Sequence, residues 1–93
     1  MLVTMSKFKV QAQNADTVAE RFRTRSHKVD QWEGFISLEV LRTAGRNPCF
    51  TLITRWSNRE ALQRYLRSED FRSVHSSMGP EGAEFSLCEV VVT

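Results

Sequence analysis

The chain has few of the features that mark membrane-spanning, secreted or metal-cluster proteins. Its 93 residues include only two cysteines, two prolines and four glycines. No apolar run approaches the roughly 20 residues that a membrane-spanning helix needs. The N-terminus has no basic stretch followed by an apolar core and a cleavage site. These absences predict a protein without a membrane partner and without a secretory signal, and therefore a cytoplasmic location.

The charge balance is nearly even, with thirteen lysines and arginines against eleven aspartates and glutamates, for a formal charge of +2. This is too weak and too scattered for a nucleic-acid-binding surface. One basic cluster stands out, and its two interpretations are a solvated helix face and a site for an anionic ligand. The cluster consists of Arg21, Arg23, Arg25 and Lys28.

Cys49 and Cys88 lie far apart in the sequence and have no metal-binding spacing. In the fold argued below they fall on strands separated by a third strand, about 9–10 Å apart. That distance exceeds the roughly 7 Å limit on the Cα separation of a disulfide. We expect buried free thiols.

The first half of the chain predicts a strand followed by a helix. Residues 2–10 alternate, so that Leu2, Thr4, Ser6, Phe8 and Val10 share one face. Thr17 and Glu20 have capping-box spacing, and apolar residues then recur at helical steps as far as Gly34. Arg25 alone interrupts that apolar stripe, whose members are Val18, Phe22, Val29 and Trp32.

The second half predicts a hairpin, two short helices and a last strand. Strands are predicted from Phe35 to Thr43 and from Cys49 to Trp56, joined by a turn at 44–48. Ser57 and Glu60 form a second capping box, which opens a helix through Ala61, Leu62, Tyr65 and Leu66. A short helix follows over 71–78, Gly79–Gly82 closes it, and the last strand runs over 84–92.

The element order β-α-β-β-α-β is that of the ferredoxin-like split βαβ arrangement. We therefore predict an α+β fold with a four-stranded antiparallel sheet and both helices on one face. No repeat, linker or low-complexity segment occurs in the chain. Residues 1–93 are predicted to form a single domain.

The strands predict a second copy of the chain as a partner. Both faces of the sheet carry apolar residues, and two helices can cover only one face. The other face would expose more apolar surface than monomers tolerate. We expect a homodimer packed through the outer sheet face. The residues concerned are Ile36, Leu38 and Val40 against Phe35 and Leu41, Phe50 and Leu52 against Cys49 and Ile53, and Phe85, Leu87 and Val91 against Cys88, Val90 and Val92.

Four segments together resemble the antibiotic-biosynthesis-monooxygenase family: residues 20–25, 33–35, 50–56 and the run 57–75. The resemblance covers almost the whole chain. It is closest to the bacterial haem-degrading monooxygenases of that family, which also place a histidine ten residues after a pocket aromatic on the second helix. It implies a ferredoxin-like homodimer whose two sheets form a barrel, with one pocket per subunit between sheet and helices.

The resemblance also assigns residues. The haem-degrading branch uses a histidine as the proximal iron ligand, and His75 stands at the matching position. A tryptophan that presses on the porphyrin is replaced here by Tyr65, and a distal asparagine on strand 1 is replaced by Ser6. Arg25 could meet a haem propionate or another anion through a bidentate contact. Each residue also has a structural interpretation: His75 and Tyr65 as core residues, Ser6 as a small polar residue, and Arg25 as a side chain extended to solvent.

Three functions are compatible with these residues. The favoured one is a haem-binding monooxygenase in which haem is both cofactor and substrate, His75 ligates iron and an unidentified donor supplies electrons. The second is a cofactor-free monooxygenase that acts on phenolic or quinone-forming aromatic substrates, with His75 and Tyr65 as base and orienting donor. The third is a non-catalytic dimer that binds haem or a small hydrophobic molecule.

Overall fold

The computed structural model of the chain describes residues 1–45, 48–76 and 83–93, without the side chains of Val74 and Ser76. Its core is a four-stranded antiparallel sheet with the strand order β2-β3-β1-β4. The predicted ferredoxin-like α+β fold is confirmed, with the helices packed on one face. The strands are β1 (Leu2–Lys9), β2 (Phe35–Arg42), β3 (Cys49–Trp56) and β4 (Glu84–Glu89), and the helices are α1 (Ala15–Arg23), α2 (Arg59–Leu66) and α3 (Glu69–Ser76).

The central strands follow the predicted alternation. In β1 the helix-side residues Leu2, Thr4, Ser6 and Phe8 are buried, while Met5 is exposed on the outer face. Their β3 partners in register include the buried residues Phe50, Leu52, Thr54 and Trp56. Period-two patterning thus fixes which side chains reach the helices.

Strand β2 departs from strict alternation. A bulge lies between Phe35, which pairs with Trp56, and Ser37, which pairs with Arg55. The extra residue, Ile36, is 46 % exposed. The prediction that Ile36 shares a face with Leu38 and Val40 was therefore wrong, because a bulge shifts the alternation by one residue and Phe35 takes the inner place.

The first helix is shorter than predicted. A single 3-10 turn (Ala12–Asn14) leads into α1, which begins at Ala15, so Thr17 is not its cap, and the predicted capping box is wrong. The helix ends at Arg23, and a separate 3-10 segment covers Lys28–Gln31. Between them His27 has φ +59°. The apolar residues keep their helical spacing across this break. The predicted apolar stripe therefore gave no sign of it.

Helix α2 begins one residue later than its predicted capping box. The cap is Asn58, not Ser57: its side-chain oxygen accepts a hydrogen bond from the backbone N–H of Ala61 at 2.8 Å. Helix α3 starts at Glu69, two residues before its predicted start. Ser68 connects the two helices, because its hydroxyl donates to the carbonyl of Tyr65 and accepts from the N–H of Phe71.

Two buried clusters lie between the helices and the sheet. The cluster under α1 contains Phe8, Ala15, Phe50 and Leu52, with Phe22 packed against it. The cluster under α2 and the 3-10 segment Lys28–Gln31 comprises Leu2, Val29, Trp56, Ala61, Leu62 and Tyr65. Leu38 packs against both clusters. The two clusters therefore adjoin each other between the helices and the sheet.

The last strand ends earlier than predicted, at Glu89, because Glu89 pairs with Leu2, the first residue of β1. Cys49 and Cys88 are free thiols, as predicted, on strands separated by β1. The prediction that both thiols are buried was wrong for the single chain, where Cys49 is half-buried and Cys88 is exposed. The predicted closing turn at 79–82 and part of the hairpin turn lie outside the described residues. No helix among the described residues is long and apolar enough to cross a membrane.

Candidate functional site

Two of the predicted site residues meet on the inner face of the sheet. The Ser6 hydroxyl oxygen lies 3.3 Å from Nε2 of His75. Ser6 is 2 % exposed in the middle of β1, and His75 is half-buried in α3. A residue of the first strand and a residue of the last described helix therefore form one polar contact.

Aromatic rings surround the imidazole of His75. Its ring centroid lies 4.1 Å from that of Phe71, one helical turn earlier in α3, and 5.9 Å from that of Phe85 in β4. Burial lowers the pKa of His75 below its ordinary value of 6.5, because desolvation disfavours the imidazolium. The ring is therefore held neutral near pH 7, which is the state that ligates a metal.

Tyr65 belongs to the core cluster under α2 and contributes to the lining of a cavity. It is 4 % exposed, and its ring stacks on Trp56 at a centroid distance of 5.0 Å and 28°. It also makes edge contacts with Trp32 and Phe71. Burial, followed by the charge of Asp70, raises the pKa of Tyr65 to about 12. The phenol therefore remains protonated and can act as a hydrogen-bond donor, but not as a base, at neutral pH.

An open-mouthed cavity of about 280 Å³ lies between α1 and the sheet. Tyr65 and Arg25 line it, whereas Ser6 and His75 are not among the residues that line it. The predicted site is thus divided into a Ser6–His75 contact and a neighbouring cavity, both bordered by α3. The lining comprises Val18, Phe22, Val29, Leu38, Leu52, Tyr65, Asp70, Ser73 and a rim of Arg21, Arg25, Ser26, His27 and Lys28.

The rim of the cavity is cationic, and most of the basic cluster found in the sequence contributes to it. Arg23 differs, since it pairs with Glu20 on the surface of α1. The guanidinium of Arg25 makes a bidentate ion pair with Asp30, at 3.0 and 3.3 Å. His27 contacts the same carboxylate through Nδ1 at 2.9 Å. The hydrogen bond from Arg25 is the main reason that the pKa of Asp30 is lowered.

Haem fits the chemistry of His75, because a neutral imidazole nitrogen is a common axial ligand to haem iron. In this conformation, however, Ser6 and His75 lie closer together than a bound haem between them would allow. The resemblance places Ser6 and His75 on opposite sides of a bound macrocycle, and here they are in direct contact at 3.3 Å. A flat ring needs about 3.5 Å from the atoms on each of its sides. Binding between them therefore requires α3 to move away from β1.

The same contact does not make a hydrolase. A serine beside a neutral histidine resembles a nucleophile and its base, but Ser6 is 2 % exposed. It also lies in β1, which is hydrogen-bonded to β3 on one side and β4 on the other. The backbone N–H groups around it are used by the sheet and cannot stabilise an oxyanion.

Two polar features of the site could not be predicted from sequence spacing. The indole N–H of Trp32 donates to the carboxylate of Asp70, which lines the cavity, at 3.1 Å. Below Tyr65, the indole N–H of Trp56 donates to Thr54, whose hydroxyl contacts that of Thr4. The signal for the second was present, because Thr4 and Thr54 occupy inward positions of strands that are otherwise apolar. Trp32 and Asp70 are 38 residues apart, and no pattern in the sequence indicated their contact.

Comparison with known proteins gives a consistent family assignment. The family model for antibiotic biosynthesis monooxygenase matches residues 1–77. A protein of Halalkalibacterium halodurans named heme-degrading monooxygenase is 32 % identical over 78 residues, which cover 82 % of this chain and 66 % of that protein. The match therefore spans slightly less than two thirds of that relative's length.

Solved structures show the same fold. The structure of the heme-degrader MhuD from Mycobacterium tuberculosis, with two hemes bound in its active site, has a TM-score of 0.79 at 24 % identity and covers 100 % of this chain and 98 % of its own. SnoaB, a cofactor-independent oxygenase from Streptomyces nogalater, has a TM-score of 0.75 at 20 % identity and covers 99 % and 94 %. At these identities the likeness concerns the fold.

Proposed function

The chain belongs to the antibiotic biosynthesis monooxygenase family and is a monooxygenase domain, and from that premise we propose that it binds haem and degrades it oxidatively. Haem would be both cofactor and substrate, with O₂ and an external reductant as co-substrates. The observation that carries the proposal is the position of the His75 imidazole, half-buried among aromatic rings and facing the Ser6 hydroxyl.

Each residue of the site has a role in this proposal. His75 would donate the lone pair of Nε2 to iron, and the rings of Phe71 and Phe85 would limit water around it. The Ser6 hydroxyl would offer one hydrogen bond on the other side of the ligand. Tyr65 would press its planar ring against the bound molecule. The cationic rim, including Arg25, would attract the carboxylates of a propionate-bearing ligand. Bound haem would supply the iron at which O₂ is activated.

A homodimer through the outer sheet face and a cytoplasmic location belong to the same proposal. Apolar side chains on that face include Met5 and Leu41, which are 37 % and 48 % exposed. The face also carries the ion pair of Arg55 with Glu39, so it is more mixed than the sequence predicted. Two free cysteines are typical of a reducing compartment.

A haemin titration followed at the Soret band tests the proposal. We expect a saturable spectrum for the wild-type protein and for His27→Ala, which removes the other histidine of the chain. His75→Ala should lose the axial-ligand signature. Ascorbate added in air should then bleach the wild-type complex. A His75→Ala spectrum identical to that of the wild type would contradict the assignment, and a Soret band that survives the reductant would favour binding without degradation.

Ser6→Ala should separate binding from turnover. Haemin must displace the Ser6–His75 contact, so removing the hydroxyl should tighten binding by about two- to tenfold, the net worth of one hydrogen bond. Loss of the distal donor should at the same time slow degradation. Ser86→Ala in β4 is the matched control, because Ser86 pairs with Met5 on the outer face. Weaker haemin binding by Ser6→Ala would contradict the displacement of this contact.

The cavity supports a second candidate, cofactor-free oxygenation of a phenolic or quinone-forming substrate. Its volume of about 280 Å³ is just below the roughly 300–1,000 Å³ of small-molecule pockets, and Tyr65 and Arg25 line it. Metal-independent O₂ consumption with such a substrate, in protein that shows no saturable haemin spectrum, would favour this candidate over haem degradation.

A further inference from the structure

A hydrogen bond links the segment after α1 to the start of α3. Nε1 of Trp32 donates to Oδ2 of Asp70 at 3.1 Å, between two half-buried side chains. Trp32 directly follows the 3-10 segment Lys28–Gln31, and Asp70 lies in the first turn of α3. The bond therefore lies beside the cavity, which Asp70 borders.

Trp32 is itself held by the rigid core. Its ring meets the ring of Tyr65 edge to face, with centroids 5.7 Å apart at 74°. Tyr65 is stacked in turn on Trp56, which is fully buried. The indole of Trp32 thus contacts the buried ring of Tyr65. It also contacts Asp70 of α3, the helix that carries His75.

Helix α3 depends on such contacts for its orientation. It has eight residues and is joined to α2 by only two, Arg67 and Ser68. An isolated helix of this length is not stable in water. At its far end His75 contacts Ser6 and Phe85, and the contact with Ser6 is the one that a ligand of His75 must displace. The bond from Trp32 to Asp70 lies at the near end, more than one turn away.

We propose that Trp32 is a positioning residue for His75: by holding Asp70 it fixes the near end of α3, so that the imidazole remains aimed at the inner sheet face while the far end moves. Asp70 and Ser73 border the cavity, and Phe71 and His75 lie on the adjoining side of the helix. A rotation of α3 would carry the imidazole toward the rim. Only the description of His75 as an iron ligand rests on the proposed function.

Amide hydrogen exchange of residues 69–76 in the ligand-free protein tests the positioning. Trp32→Phe keeps an aromatic edge against Tyr65 and loses the N–H donor, and Asp70→Ala loses the acceptor. Each should speed exchange of the α3 amides about two- to tenfold, as expected for one lost hydrogen bond. Asp70→Asn keeps an acceptor oxygen and should restore the slow rate. Glu69→Ala, which removes the neighbouring first-turn carboxylate and its interaction with the helix dipole, should speed exchange less than Asp70→Ala.

A spectroscopic measurement separates positioning from general stability. The haemin complexes of Trp32→Phe and Asp70→Ala should show a mixture of axial-ligand states in the Soret region, and Asp70→Asn should return the wild-type spectrum. Equal exchange rates in all four variants, or an effect of Glu69→Ala as large as that of Asp70→Ala, would overturn the positioning role. Failure of the haem proposal would be seen in a different measurement, the haemin titration, in which His75→Ala would bind haemin like the wild type.

Discussion

At the scale of single residues, the environment of a side chain decides what it can do. His75 and His27 are the two histidines of the chain. His27 is exposed and contacts Asp30, whereas His75 lies among aromatic rings that lower its pKa. Tyr65 is likewise changed by burial, since its phenol stays protonated through the neutral range. The same residue types at the surface would be ordinary polar groups.

His75 should make the stability of the fold depend on pH. Its pKa in the folded protein lies below the ordinary 6.5, so between those two values the unfolded chain binds more protons. The free energy of unfolding should therefore rise with pH in this window. The part of the stability that depends on a neutral His75 is fully present above about pH 6.5. It is lost as the pH falls through the folded pKa of His75.

Urea unfolding between pH 5 and 8 measures this effect. His75→Gln should flatten the slope of the free energy of unfolding near and below about pH 6.5. His27→Gln, which also removes one histidine, should leave more of that slope in place. If the two variants have the same pH profile, burial of His75 is not the source.

At the scale of elements, caps and close approaches fix where each helix begins. The break after α1 places Arg25 and His27 outside the helix, where both reach Asp30. The hydroxyl of Thr24 at this end donates to the carbonyl of Glu20. The start of α2 is set by Asn58 and by Gly34, whose carbonyl accepts from the N–H of Ser57.

Asn58→Ala should destabilise the protein by about 1 kcal/mol, because the N–H of Ala61 loses its side-chain acceptor. Ser57→Ala should cost much less, although its spacing with Glu60 makes Ser57 the better cap by sequence. Chemical denaturation of the two variants compares them directly. A larger loss for Ser57→Ala would place the cap where the sequence predicted it.

Gly34→Ala should be more disruptive than Gly45→Ala. Both glycines have positive φ, +83° and +133°, and both substitutions therefore strain the backbone. A Cβ at Gly34 would also lie 2.5 Å from Cβ of Ala61, whereas one at Gly45 would meet no atom of the described residues within 4 Å. The overpacking should add about 1–3 kcal/mol. Thermal unfolding that ranks the two equally would contradict this close approach of α2.

At the scale of the whole molecule, one sheet face carries the site and the other is available for association. The two core clusters lie on the helix side, and the cavity lies between them. Apolar surface also remains on the helix side at the β4 edge, where Phe85 and Leu87 are 39 % and 43 % exposed. A second copy would be needed to cover the outer face, as proposed above.

Ile53→Lys should turn a dimer into a monomer. Ile53 lies on the outer face between its register partners Met5 and Glu39, so a lysine would place a charge that must be desolvated in the proposed interface. Sedimentation at micromolar concentration should give a dimer for the wild type and for Gln63→Lys. The second variant adds the same charge at an exposed position of α2. A monomeric wild-type protein would refute the dimer.

Much of the fold could be predicted because local patterning controls it. Alternation in β1 and β3 predicted which residues are buried, and helical spacing predicted the buried face of α2 through Tyr65. The bulge at Ile36, the break after Arg23 and the Asn58 cap could not be predicted, since each depends on which backbone partner is available. For the same reason the contact of Trp32 with Asp70 had no sequence signal.

The sequence by itself determined the element order, the face of β1 that carries Ser6, and the resemblance that made His75 a ligand candidate. Those are properties of periodicity and residue type, which act over a few neighbours. Only the tertiary structure decided that Ser6 and His75 touch and that Tyr65 borders a cavity separate from them. Contacts between distant segments depend on how two packed layers meet, and no local pattern specifies that.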